Sequence, residues 1–288
     1  MKINSISPDK HNFLQIISTI AKRPETLYFV GTLPKVGFPE TTVVAFVGTR
    51  KPTSYGKEVT FNLAYKLAQK GVIIVSGLAL GIDAIAHKAA LEAGGTTIAV
   101  LANGLDSVYP ATHRKLAEDI IKNGGAIISE YPLGTPARDY QFLARNRIVS
   151  GLSQAIVVTE AATRSGTLAT VAHALDQNRE VFAVPGTITS PMSAGPNRLI
   201  QKGAHPVTSA DDILEIIAPH LLEQQTTLNL GSNPVEIKII DLLQSGIQSG
   251  EELHKLSGYP VSEFSQAITM LEINGLIRGL GSNQWTAM

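Results

Sequence analysis

The sequence predicts an α/β protein: a doubly wound, mostly parallel sheet followed by a small winged-helix-like unit. Three observations carry this. From about residue 42 to 218, short β-branched runs alternate with amphipathic helical stretches, which is the spacing of βα units. The runs are apolar almost throughout, as parallel strands buried on both faces must be. Residues 234–288 then hold three helical patterns and a hairpin signal, the order of a winged helix.

The strands are expected at 43–47, 72–76, 97–101, 126–129, 155–159 and 181–184, with an earlier one at 27–30. Helices are expected near 54–70, 81–93, 112–123, 141–151, 167–177 and 195–202. The strands end in polar or glycine-bearing residues: Gly48-Thr49-Arg50, Ser76-Gly77, Asn103-Gly104, Ser129-Glu130, Thr159-Glu160 and Pro185-Gly186. Ligands of open α/β sheets sit at the carboxyl ends of strands, beside the point where strand order reverses. Function is therefore sought on that rim. Residues 219–233 read as a polar linker. Beyond it, helices are expected at 235–244, 249–256 and 261–273, the last two capped by Ser249 and Ser262. Strands at 276–280 and 284–286 would turn at Gly281-Ser282-Asn283.

Composition excludes several chemistries. The chain has no cysteine, so disulfides, thiolate metal sites and cysteine nucleophiles are ruled out; a reducing cytoplasm suits it. No run approaches the ~20 apolar residues of a membrane span, and the N-terminus lacks the apolar core of a signal peptide. No metal cage, cofactor or catalytic nucleophile is expected. Formal net charge is zero, so any nucleic-acid site must be a local concentration of positive charge.

The densest such signal lies between residues 145 and 167. Arg145, Asn146 and Arg147 bring fixed charge and planar donors. Arg164-Ser165-Gly166-Thr167 opens a helix and offers backbone N–H groups, two hydroxyls and a helix N-terminus to an anion; simple helix capping is the bland alternative. Gly48, Thr49 and Arg50 follow the first core strand. The glycine permits close approach and Arg50 overhangs the rim, with Ser54 capping the next helix; the alternative is a tight turn with a solvated arginine. No G-x-G-x-x-G fingerprint is completed. Arg138, Tyr140 and Phe142 interleave charge with rings, the pattern of single-strand binding, although either ring can instead serve packing. Tyr109-Pro110 precedes His113, Arg114 and Lys115, which add positive charge at another strand end or are simply solvated. Asp83 and His87 stand four residues apart on one helix and invite an acid–base reading. With no nucleophile or metal partner, helix-dipole stabilisation by Asp83 and a packed His87 are favoured. Between residues 233 and 288 six acids face three bases, and 262–273 contains no Lys or Arg. A groove-reading helix normally carries them, so this unit is expected to bind protein, or to pack on the larger domain, rather than bind DNA strongly.

Taken together, VAFVGTR (44–50), SGLALGIDAIAH (76–87), TIAVLANGLDSVYP (97–110), FLARNRIVSGLS (142–153), VVTEAATRSGTLAT (157–170) and REVFAVPG (179–186) resemble the DprA/Smf family of natural transformation. The resemblance implies an extended Rossmann-like domain over 26–218 that binds single-stranded DNA, forms homodimers, loads RecA recombinase and catalyses nothing. It assigns DNA contact to Arg50, base stacking to Phe142 and phosphate binding to Ser165, Gly166 and Thr167. A basic rim would make binding fall steeply with salt. Leu80 and Ala111 stand where the family usually has basic residues; the alternatives are weaker DNA binding or compensation by Arg114 and Lys115. The family's N-terminal helical domain is expected to be reduced to a short helical segment over 1–25. A competing reading is a nucleotide N-glycoside hydrolase, for which Glu130 and Glu160 are the available carboxylates. A small-nucleotide sensor on the same rim is a third.

Overall fold

The computed structural model describes residues 2–223, 233–281 and 283–287. It divides into two compact units, Met1–Pro219 and His220–Met288.

In the first unit the elements follow in order: β1 (Asn4–Ile6), β2 (Leu27–Gly31), β3 (Val43–Val47), α1 (Ser54–Gln69), β4 (Ile73–Ser76), α2 (Ile82–Glu92), β5 (Thr97–Leu101), α3 (Arg114–Lys122), β6 (Ala126–Ser129), α4 (Asp139–Gly151), β7 (Ala155–Val158), α5 (Gly166–Asp176), β8 (Glu180–Ala183), α6 (Ala194–Gln201), β9 (His205–Pro206) and α7 (Ala210–Ile217). The strands form one sheet in the order β1-β2-β6-β5-β4-β3-β7-β8-β9. β2 runs antiparallel to β6, and β1 antiparallel to β2; every other pairing is parallel. The chain lays down β3 to β6 in one direction, then returns to place β7 on the free side of β3. The switch point thus lies between the carboxyl ends of β3 and β7.

Alternation along each strand divides the core into two layers. Ile98 and Val100 join Val43, Ala45 and Val47 against Ile148, Val149 and Val171 of α4 and α5. Ala99 and Leu101 point the other way, onto Ala84 of α2 and Leu116 and Ile120 of α3.

Several details differ from expectation. Residues 1–25 hold β1 and two 3-10 turns, Pro8–Lys10 and Gln15–Thr19, in place of the short helical segment. Leu14, Ile17 and Ile20 recur every third residue, the repeat of a 3-10 helix. With Phe13 they are buried in the α4-side core, so this segment belongs to the larger unit. Thr53, not Ser54, caps α1, its hydroxyl accepting from the Gly56 N–H. The short β1 and β9 and the helix α7 were not anticipated. α7 did carry a signal, because Ser209 and Asp212 form a capping box before an apolar run.

The second unit contains a short turn of helix α8 (His220–Glu223), then α9 (Pro234–Gln244), α10 (Gly250–Ser257), α11 (Val261–Ile273) and the antiparallel hairpin β10 (Ile277–Gly281) and β11 (Gln284–Ala287). Ile239, Ile240, Leu253, Phe264, Leu271 and Ile277 form its core. Ser249 occupies the N-cap position of α10. Ser262 does not cap α11: the Phe264 N–H already donates to the Pro260 carbonyl, so Pro260 is the cap and Ser262 lies inside the first turn. Most of the expected linker 219–233, and Ser282 of the expected turn, lie outside the described residues. Among the described residues no helix is long and apolar enough to cross a membrane, and no group of three or more His, Asp or Glu could hold a metal ion.

Candidate nucleic-acid interface

The groove at the switch point is built from three strand-to-helix turns and one face of α4. Beyond β3, the Thr49 N–H donates to the Glu160 carbonyl at 2.8 Å, and the Thr49 carbonyl accepts from the Ile82 N–H at 3.2 Å. The turn is therefore clamped between the end of β7 and the start of α2. Gly48 is required by this close approach, since a Cβ there would lie 2.5 Å from Ile82 Cγ1. Clamped in this way, Arg50 extends over the Phe142 ring, its Cζ 5.4 Å from the ring centroid, a cation–π distance.

Phe142, Arg145 and Asn146 lie at i, i+3 and i+4 on α4 and so share a face. Arg145 is only 4% exposed. Its Nη1 donates to the Gly77 carbonyl at 2.7 Å and to the Val100 carbonyl, which ties α4 to the ends of β4 and β5. Asp83 is also buried, and its Oδ2 accepts from the Gly77 and Ala79 N–H groups at 3.0 and 3.3 Å. Burial drives the Arg145 guanidinium down to about 10 and raises the Asp83 carboxyl, while the attraction between the two opposes both shifts. Gly77 leaves room for this, since a Cβ there would lie 2.4 Å from Arg145 Nη2.

From the opposite wall comes the N-terminus of α5. Ser165 occupies the N-cap position without a side-chain cap bond, and its buried hydroxyl has no hydrogen-bond partner among the described residues. Ser165, Gly166 and Thr167 line the groove, so the helix's positive end borders it. The result is a cavity of about 400 Å³ that gathers Gly48, Thr49, Arg50, Phe142, Arg145, Asn146, Ser165, Gly166 and Thr167. It contains a cation, a ring and a helix terminus, the equipment for holding a phosphate beside a base.

Residues 4–218 match the family described as DNA recombination-mediator protein A. The chain belongs to this family. It is 51% identical over 172 residues to protein Smf of Escherichia coli, a match covering 60% of this chain and 46% of the relative, so it spans less than half of that protein's length. Two solved structures share the fold. DNA processing protein A of Streptococcus pneumoniae superposes with a TM-score of 0.69 at 38% identity, covering 75% of each chain. DNA processing protein A of Helicobacter pylori, whose structure is described for a single-stranded DNA binding mode, gives 0.65 at 30% identity, covering 78% of this chain and 97% of that one.

Five of the residues expected to bind DNA lie outside the cavity of this family member. Arg147 turns to Glu130 and forms a two-pronged ion pair at 2.9 and 2.6 Å, with Nε donating to the Lys22 carbonyl. Lys115 pairs with Asp119 at 2.6 Å along α3. Arg114, Arg138 and Arg164 are exposed. Two acids that line the cavity, Asp83 and Asp139, were not assigned to the DNA site from sequence. They offset Arg50 and Arg145, so the cavity walls carry no formal net charge. Asp139 had a signal in standing three residues before Phe142, nearly one helical turn, on the same face.

The acid–base reading of Asp83 and His87 has no geometric basis. Asp83 faces backbone amides, and His87 Nδ1 lies 2.7 Å from the Thr97 hydroxyl. That hydroxyl donates to the Ile74 carbonyl, so its oxygen accepts from Nδ1–H, which sets the tautomer. Glu160 is held within the fold: Oε1 accepts from the Thr53 hydroxyl at 2.6 Å and Oε2 from the Thr53 N–H at 2.8 Å. Glu130 is taken by Arg147. Replacing Arg147 with Ala should lower unfolding stability by about 2–3 kcal/mol, as for a largely buried pair losing one partner, with single-strand affinity within about twofold of the parent. Chemical denaturation and a binding titration on the same sample check both halves.

Proposed function

We propose that the groove binds single-stranded DNA, and that the chain acts without catalysis as a cytoplasmic homodimer that protects incoming DNA and loads RecA recombinase onto it in transformation and recombination. The observation that carries the reading is the half-buried Phe142 ring, which lies under Arg50 and opens on a cavity bordered by the N-terminus of α5. A base stacks on the ring while the cation and the helix end hold flanking phosphates. The single-stranded DNA binding described for the Helicobacter pylori relative supports it, and the family's description as a recombination mediator supports the step with RecA. The second unit, read as a winged helix, supplies a protein-binding surface, in keeping with its excess of acids.

The hydrolase reading loses support because Glu130 and Glu160 are both bound within the fold. A cavity of about 400 Å³ falls in the range of small-ligand pockets, which keeps a nucleotide sensor as the second reading. Titrating labelled single-stranded and duplex oligonucleotides of equal length tests the proposal. Preference for the single strand, resistant to competition by mononucleotides, is the expected result; binding of mononucleotide alone would favour the sensor.

The salt dependence should be shallower than the sequence suggests. Arg145, Arg147 and Lys115 are already engaged, which leaves Arg50, helped by the exposed Arg114, Arg138 and Arg164, to meet phosphates. Three or four contacts correspond to a slope of about −2 to −3 in log K against log salt. Arg50→Ala should make that slope shallower by about 0.7, and Phe142→Ala should cost about 1–3 kcal/mol of binding. Anisotropy titrations across a salt series read all three.

A further inference from the structure

We infer that Tyr109 is a second base platform, so that the bound strand leaves the cavity over Phe142 and continues onto the Tyr109 ring. The inference rests on the single-strand reading above and extends the site beyond the cavity. Phe142 has limited room for bases: it is half-buried, the Arg50 guanidinium lies over its ring, and Tyr109 leans against it with centroids 5.4 Å apart and planes inclined at 51°. One base can stack there once Arg50 moves to a phosphate. Tyr109, by contrast, is 48% exposed and lies on the segment after β5, on the same carboxyl rim. A lone exposed tyrosine is ordinary surface; one in ring contact with the cavity's own aromatic continues a stacking surface out of it. Aromatic faces accept any base, so the platform adds affinity and length without adding sequence preference. Arg114, exposed, shares a wall with Val108 of the same segment and supplies charge to this part of the rim.

The competing role for Tyr109 is to prop Phe142 in place. Oligonucleotide length separates the two. Labelled oligothymidylates, from the shortest that the parent binds up to about twenty nucleotides, are titrated against the full chain and its Tyr109→Phe, Tyr109→Leu and Tyr109→Ala variants, with thermal melts confirming the fold. A platform predicts that Tyr109→Phe matches the parent at every length. Tyr109→Leu and Tyr109→Ala should lose roughly tenfold on long strands, the usual effect of removing one stacked base, and less than twofold on the shortest. Equal loss at all lengths makes Tyr109 a prop and overturns the inference, as does unchanged affinity on long strands. A parent that binds no oligothymidylate overturns the single-strand reading together with this one, whereas a binding parent with indifferent variants overturns this one alone.

Discussion

Replacing Arg145 with Ala should destabilise the fold by about 3–5 kcal/mol, the effect of leaving a buried charge uncompensated. The truncation strips the Gly77 and Val100 carbonyls of their donor and leaves Asp83 buried without its counter-charge. The turn after β4 and the end of β5 lose a common anchor to α4, so denaturation should move to markedly lower urea with little change in slope. Arg145→Met combined with Asp83→Asn should recover part of the loss, because neither charge then remains alone. In the sequence Arg145 reads as fixed charge for an anion; its burial ties the guanidinium to the scaffold. An Arg145→Ala protein with parental stability would show that the ends of β4 and β5 do not depend on it.

Acidification from pH 7.5 to 5 should lower unfolding stability by about 2 kcal/mol through His87 alone. Burial, reinforced by the electrostatic influence of nearby His113 and Arg145, pulls the His87 imidazole from 6.5 down to about 3. The unfolded chain therefore binds a proton below pH 6.5 that the folded chain refuses until about pH 3. Stability from this group is complete above pH 6.5 and declines as pH falls, by up to about 1.4 kcal/mol per unit. His87→Asn keeps a donor toward Thr97 and removes the titration, so its stability should vary less over the same range. Equal slopes for parent and variant in urea titrations at four pH values would place the acid sensitivity elsewhere.

The framework of the fold was legible because it is written in local patterns. β3, β5 and β6 run over the residues expected from their apolar runs, and α1 to α6 deviate by a residue or two at most ends. What escaped depends on distant partners. An arginine advertises charge in a sequence, but whether it meets a phosphate or two carbonyls at residues 77 and 100 depends on how α4 lies across the sheet. Arg147 and Glu130 come together in the same way, from residues 17 apart. The N-terminal segment misled for a different reason: with no long amphipathic period, its every-third-residue apolar repeat has meaning only against the α4 layer. The clustering of Gly48, Arg50, Phe142 and the α5 terminus was readable, since all stand at strand ends or on the helix between them.

The order of strands has a consequence for how the protein is made. β3 lies in the middle of the sheet, and its second neighbour β7 pairs with it across about 110 residues, Val44 with Ala155 through Val47 with Val158. A chain emerging from the ribosome can assemble β3 to β6 early, but it must hold one flank of its central strand open until α4 and β7 have been synthesised. Closing so long a loop is slow, and the exposed flank invites mispairing meanwhile. The groove lies on that late-closing seam. A nascent or half-assembled chain therefore has no complete groove, and under the proposed function DNA would be captured only by molecules that have finished folding.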